Sequence, residues 1–178
     1  MKFSHALMAI AILGFFAVST QMFAQGGSAT IQTDITSFGT ADVAFGTITK
    51  GNLATVLSSD AAAGAIAFSG DADDNVTITV PATFELSTTS GAGATMTVSI
   101  TRATMLSGTT NDQGTAAAMD ASSGSATVAL STDVSGDGVD ADGLGQIYTW
   151  FGGTVTPTAT QQRGTYNGTV TISAAYSN

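Results

Sequence analysis

Along most of the chain, apolar and polar residues alternate one by one. In NVTITVP, residues 75–81, Val76, Ile78 and Val80 oppose Thr77 and Thr79. In TMTVSITR, Met96, Val98 and Ile100 oppose Thr97, Ser99 and Thr101. SATVALS sets Ala126, Val128 and Leu130 on one side, and IQTDI does the same with Ile31 and Ile35. The chain closes on RGTYNGTVTISAAYSN, where Tyr166, Val170, Ile172, Ala174 and Tyr176 oppose Thr165, Thr169, Thr171 and Ser173. A period of two sends successive side chains to opposite faces of an extended strand. Shorter candidates lie at 42–48, 54–58, 65–70 and 83–87, and Tyr148 and Trp150 share a strand face opposite Ile147 and Phe151.

The wet rows are mostly Thr and Ser. Thr is β-branched, which suits a pleated surface, and its hydroxyl meets water. One apolar and one polar face is the pattern of antiparallel sheets. About nine short strands, bounded by Gly, Asp, Asn and Ser, predict an all-β, immunoglobulin-like antiparallel β-sandwich. A closed barrel is the alternative. The first strand is expected at 29–37. The last is expected to run about twelve residues, roughly 40 Å of extended chain. The one helical candidate is QGTAAAMDA, residues 113–121, which also reads as a loop with one turn.

The N-terminus breaks this pattern. Lys2 and His5 precede an unbroken apolar run from 6 to 18, followed by small and polar residues up to Ala24. That order predicts a secretory signal helix over 1–24, removed to leave one sandwich domain over 25–178. A membrane span needs about 20 apolar residues, more than this run supplies. The expected locations are therefore the periplasm, the cell surface or the extracellular space, with no integral membrane segment in the mature chain.

Trimming also narrows the chemistry. His5 is the only histidine and there is no cysteine. Without Lys2, the basic residues are Lys50, Arg102 and Arg163 against thirteen acids, a net charge of 3 − 13 = −10. A surface that acidic repels nucleic acid, which needs a basic face. Nucleophilic and acid–base catalysis lack their usual groups, so no enzymatic activity is expected.

Three stretches read together carry a resemblance. They are VAFGTITKG at 43–51, AFSG followed by VTITVP at 67–81, and QQRGTYNGTVTISAAY at 161–176. In this order they resemble the secreted bacterial family DUF4402, which is similar to spore-coat protein U and fimbrial-subunit domains. The resemblance implies an exported, non-enzymatic surface or extracellular structural protein. It would associate with itself or other surface subunits, or with a periplasmic chaperone gripping the row Val170, Ile172, Ala174 and Tyr176 by strand addition. Fimbrial subunits carry an N-terminal extension that completes a neighbour. With a first strand at 29–37, only Gln25 to Ser28 would remain for that purpose.

Two further features point to a binding module as the alternative. The segment around Asp133, Asp137, Asp140 and Asp142 is rich in oxygen donors of the kind calcium takes. It reads equally as a solvated acidic hairpin loop, as does GDADDN at 70–75. Tyr148 and Trp150 would form an aromatic platform for a sugar or for a partner subunit. Otherwise Trp150 belongs to the core, and Ile147 and Phe151 cover the edge.

Overall fold

In the computed structural model, the described residues are 34–88, 94–131 and 144–177, all within one unit, Thr33–Asn178. Alternation produces strands almost wherever it occurs. The strands are β1 (Thr36–Ala41), β2 (Ala54–Val56), β3 (Gly64–Asp71), β4 (Asn75–Thr79), β5 (Thr83–Ser87) and β6 (Thr95–Ile100). They continue as β7 (Met105–Gly108), β8 (Ala117–Met119), β9 (Ser125–Ala129), β10 (Leu144–Phe151), β11 (Gly153–Val155) and β12 (Ser173–Tyr176). Every pairing is antiparallel. The strands form three sheets, in orders β1-β3-β10-β7-β8, β2-β11-β6-β5 and β12-β4-β9.

The core lies between these sheets, as a β-sandwich requires. Phe68, Met105, Met119, Ile147 and Phe151 come from the five-stranded sheet. Val76 and Ile78 on β4, Ile100 on β6, and Ile172 pack with them. Val76, Ile78 and Val98 are fully buried, so the inward rows predicted by alternation are the inward rows found. Outward, hydroxyls pair across strands: Thr77 lies 3.2 Å from Thr127 and 2.7 Å from Ser177, oxygen to oxygen.

Among the described residues twelve strands replace the nine or so expected, and the differences have local causes. The helical candidate becomes a 3₁₀ turn at Gln113–Thr115 followed by β8. Its alanines pair with β7, and Met119 is buried in the core cluster. The aromatic stretch continues past β10 into another sheet. Gly152 makes this possible, because a Cβ there would sit 2.1 Å from the Val56 carbonyl oxygen. The chain therefore passes from the five-stranded to the four-stranded sheet with one bare residue at the crossing.

The two chain ends differ most from expectation. β1 begins at Thr36, the 29–33 part of the expected first strand lies outside the described residues, and residues 42–49 are not a strand. The predicted twelve-residue closing strand is paired only over Ser173–Tyr176, with one isolated bridge between Asn167 and Ser87. The predicted alternation of side chains nevertheless holds along the whole segment. Tyr166, Val170, Ala174 and Tyr176 are half-buried and Ile172 is buried, while Asn167, Thr169, Thr171 and Ser173 are exposed.

The near-terminal aromatic has a definite role. The Asp71 backbone N–H donates to the Tyr176 hydroxyl at 2.7 Å. This bond ties β12 to the end of β3, across the two layers. Gly70 leaves room for the ring, since a Cβ there would lie 2.6 Å from that hydroxyl oxygen. Tyr176→Phe should lower stability by about 1 kcal/mol, by leaving the Asp71 N–H without this acceptor. Gly70→Ala should cost roughly 1–3 kcal/mol through overpacking. The alanine should cost less in the Tyr176→Phe background, because the atom it strikes is gone. Urea midpoints of the four proteins check this; additive losses would contradict the contact.

Candidate functional site

A large cavity lies where the fold is least regular. It has a volume of about 1320 Å³ and runs between residues 40–50 on one side and 161–172 on the other. That is more than the 300–1,000 Å³ usual for small-molecule pockets. Half-buried Val43, Phe45 and Ile48 alternate along one wall. Tyr166, Val170 and Ile172 alternate along the other. Ile66, Phe84, Leu86, Met96 and Phe151 complete the lining from three different strands and the end of β10.

The backbone along both walls is under-paired. Residues 168–172 carry no ladder hydrogen bond among the described residues. On the other wall, the Ala44 N–H donates to the Ala62 carbonyl at 2.9 Å and the Thr49 carbonyl accepts from Asn52. No strand pairs with 42–49 among the described residues. Among the described residues, β1 ends the five-stranded sheet and β12 ends the three-stranded sheet. A sheet edge left without a neighbour is a template for another strand.

Charge is unevenly placed around this groove. Lys50 and Arg163 both line it, two of only four basic residues in a chain of net charge −9. Arg102 is elsewhere, 3.4 Å from the Val80 carbonyl oxygen, to which it donates. Sequence reasoning did not find this convergence. The basic pair is separated by more than a hundred positions, and only the folded chain brings 40–50 beside 161–172.

The predicted binding residues fall as follows. Val170, Ala174 and Tyr176 pack against the core cluster and Ile172 belongs to it. Their side chains thus serve this chain's own core. Tyr148 stacks on Trp150, centroids 6.3 Å apart and planes 22° apart, and Phe38 meets Tyr148 edge-on at 5.6 Å. Trp150 is only 6% exposed, so the two rings do not present an open platform. The assignment of faces is the reverse of the core alternative. Ile147 and Phe151 are in the main cluster, and Trp150 is buried on the opposite face of β10. An eight-residue strand with bulk on both sides gives no sequence signal for which side is inward.

Asp133, Asp137, Asp140 and Asp142 lie outside the described residues. Their flanks are described. Ser131 accepts from the Asp73 N–H at 3.2 Å, and Leu144 pairs with Asp71. The turn Asp71–Asp74 therefore sits against both roots of the second acidic segment. Among the described residues no group of three or more His, Cys, Asp or Glu side chains is arranged to hold a metal. No described helix is long and apolar enough to cross a membrane.

Residues 18–176 match the sequence profile of DUF4402, a domain of unknown function, and the chain belongs to that family. No curated protein matches it.

Hydrogen bonds from the Ser122 hydroxyl and then its backbone N–H hold the exposed Asp120 carboxyl below its ordinary value. A depressed folded value favours the native state above the unfolded carboxylate range, and that contribution disappears as pH falls through the folded value. Ser122→Ala should move the Asp120 midpoint upward in an NMR titration; an unchanged midpoint would contradict the assignment.

Proposed function

We propose that this chain is an exported, non-enzymatic structural protein of the cell surface or extracellular space, similar to fimbrial and spore-coat subunits, that assembles through open strand edges. The observation that carries this reading is the groove between residues 40–50 and 161–172. Its walls offer apolar side chains and, among the described residues, backbone without a ladder, the two things that strand addition uses. A volume above the small-molecule range fits a polypeptide segment better than a metabolite. The residue inventory supports a role without catalysis, since cysteine is absent and the sole histidine is His5. The N-terminal pattern of Lys2 and an apolar run to Val18 supports export. Negative-stain microscopy of the purified mature chain and of the native cell surface should show fibres or ordered arrays. Isolated particles alone, in both preparations, would end this reading.

A second reading, a calcium-dependent module, is favoured by one observation: the Asp71–Asp74 turn lies against Ser131 and Leu144, the roots of the segment that carries Asp133, Asp137, Asp140 and Asp142. Carboxylates from both loops would then share one end of the sandwich. On this reading, free calcium at about a hundred times its dissociation constant should stabilise the fold by about 2.7 kcal/mol, seen as a raised thermal midpoint reversed by chelator. A midpoint indifferent to millimolar calcium and to chelator would rule it out.

A further inference from the structure

We propose that β2 is the contact strand of a two-fold pair: its open edge docks antiparallel against β2 of a second copy of this chain. This rests on the assembly reading above and names one edge and its partner.

The side chains of this edge are unlike those of the other wet rows. Outward positions elsewhere are mostly Thr and Ser, as at Thr77 and Thr127. On β2 and its flanks the outward row is Leu53, Thr55 and Leu57, while Val56 is buried. Leu53 is 64% exposed and Leu57 50%, and they are the exposed large hydrophobics among the described residues. Leucines scattered singly over a surface need no explanation, but these two share one face of one edge strand.

The main chain is open along the same edge. β2 pairs with β11 on one side and, among the described residues, with nothing on the other. Alternate residues of an antiparallel strand turn their N–H and C=O to the same side. The Leu57 N–H donates to the Asp60 carboxylate at 2.7 Å, and the Leu57 carbonyl accepts from the Asp60 N–H at 3.1 Å. Gly152, next in register to Leu57, has its carbonyl taken by the Thr101 N–H. Leu57 therefore faces away from β11, and Leu53 and Thr55 face the same way. The Thr55 and Thr154 hydroxyl oxygens lie 3.3 Å apart, which agrees with a close pair that exchanges no main-chain bonds. The edge thus presents the N–H and C=O of Leu53 and Thr55, and Asp60 closes it at Leu57.

This edge is complementary to itself turned round. With a two-fold axis beside Ala54, Leu53 of each copy lies opposite Thr55 of the other, and each such pair exchanges both main-chain bonds. Leu53 then lies diagonal to the other copy's Leu53 and Leu57, within reach of long side chains, so the exposed leucines leave water together. Charge fixes the direction. Lys50 stands in the turn before β2 and Asp60 in the turn after it. Gln113 donates to the Ser58 and Asp60 carbonyls, which brings its neighbour Asp112 to the same acidic end. Antiparallel docking sets the basic end of each strand against the acidic end of the other, and parallel docking would set like against like. So short a contact falls below the roughly 1,200 Å² of a stable interface, and the pair forms where copies are concentrated. An isologous contact also closes on itself, so a fibre would be built of such pairs through a further contact.

The absence of cysteine makes the test direct. Purified mature chains carrying Leu53→Cys are mixed with chains carrying Thr55→Cys, oxidised and resolved without reductant. The controls are each variant alone and each mixed with Thr127→Cys on β9; all three positions are exposed. The Leu53–Thr55 mixed disulfide should form about tenfold or more above every control, because docking raises the local thiol concentration. A yield no higher than with Thr127 would overturn the inference. So would either variant dimerising with itself as readily, because that requires another register or direction. Thr55→Pro gives a reading without cross-links: it removes an outward donor and leaves the β11 ladder intact. Sedimentation should show a concentration-dependent dimer for the wild type and none for Thr55→Pro, at the same unfolding midpoint. A wild type that stays monomeric at millimolar concentration, or a Thr55→Pro dimer of equal strength, would equally overturn it. If fibres form without the β2 cross-link, assembly stands and this edge falls. If the pair forms and no fibre does, the fibre reading falls and this contact stands.

Discussion

An extended chain presents an N–H and a C=O on every residue, and each must find a partner wherever water is excluded. Residues 168–172 face this demand from an awkward position. Their apolar side chains, Val170 and Ile172, are already committed to the core, which fixes the segment against the sandwich. Their backbone has no ladder among the described residues. Side-chain burial and main-chain pairing, which normally arrive together in a sheet, are here separated among the described residues. The groove and the case for assembly both follow from that separation.

The fold itself was largely legible, because alternation is a local signal. Val76, Ile78, Val98 and Ile100 are buried as the period of two requires, and the Thr and Ser rows between them are wetter. What alternation cannot report is whether an extended segment has a partner. Residues 164–172 alternate as cleanly as any strand in the chain, yet only Ser173–Tyr176 and the Asn167 bridge are paired. The same blindness covers 42–48, whose Val43, Phe45 and Ile48 point inward without a ladder. The helical candidate failed for a different reason. Three alanines favour a helix in isolation, but here a buried methionine and a facing strand outweigh that preference.

The groove was less legible than the fold. Its walls were visible as sequence, and the family resemblance rested on both of them, VAFGTI and GTYNGTVTISAAY. Their meeting was not. Lys50 and Arg163 lining one cavity, with Phe84 and Met96 in the same lining, is a product of the folded chain. In an antiparallel sandwich, segments far apart in the chain become neighbours through edges. Composition alone indicated that binding, if present, would be by backbone and apolar contact, because few side chains could do otherwise.

Tyr176 connects these points. A tyrosine two positions from the end would fray if nothing held it. Its hydroxyl takes the Asp71 N–H, and the bare Gly70 lets the ring lie flat against β3. The lower end of the closing segment is thereby fixed to the opposite layer. At the upper end, the Asn167 bridge to Ser87 fixes it to a third sheet, with the Ser87 N–H donating to the Asn167 carbonyl at 2.7 Å. Between these two anchors the backbone has no ladder among the described residues. A loop of the same composition, free at both ends, would have more conformations to lose on folding. The anchors therefore do more than close the fold: they hold the intervening segment in one place, so that Val170 and Ile172 reach the core.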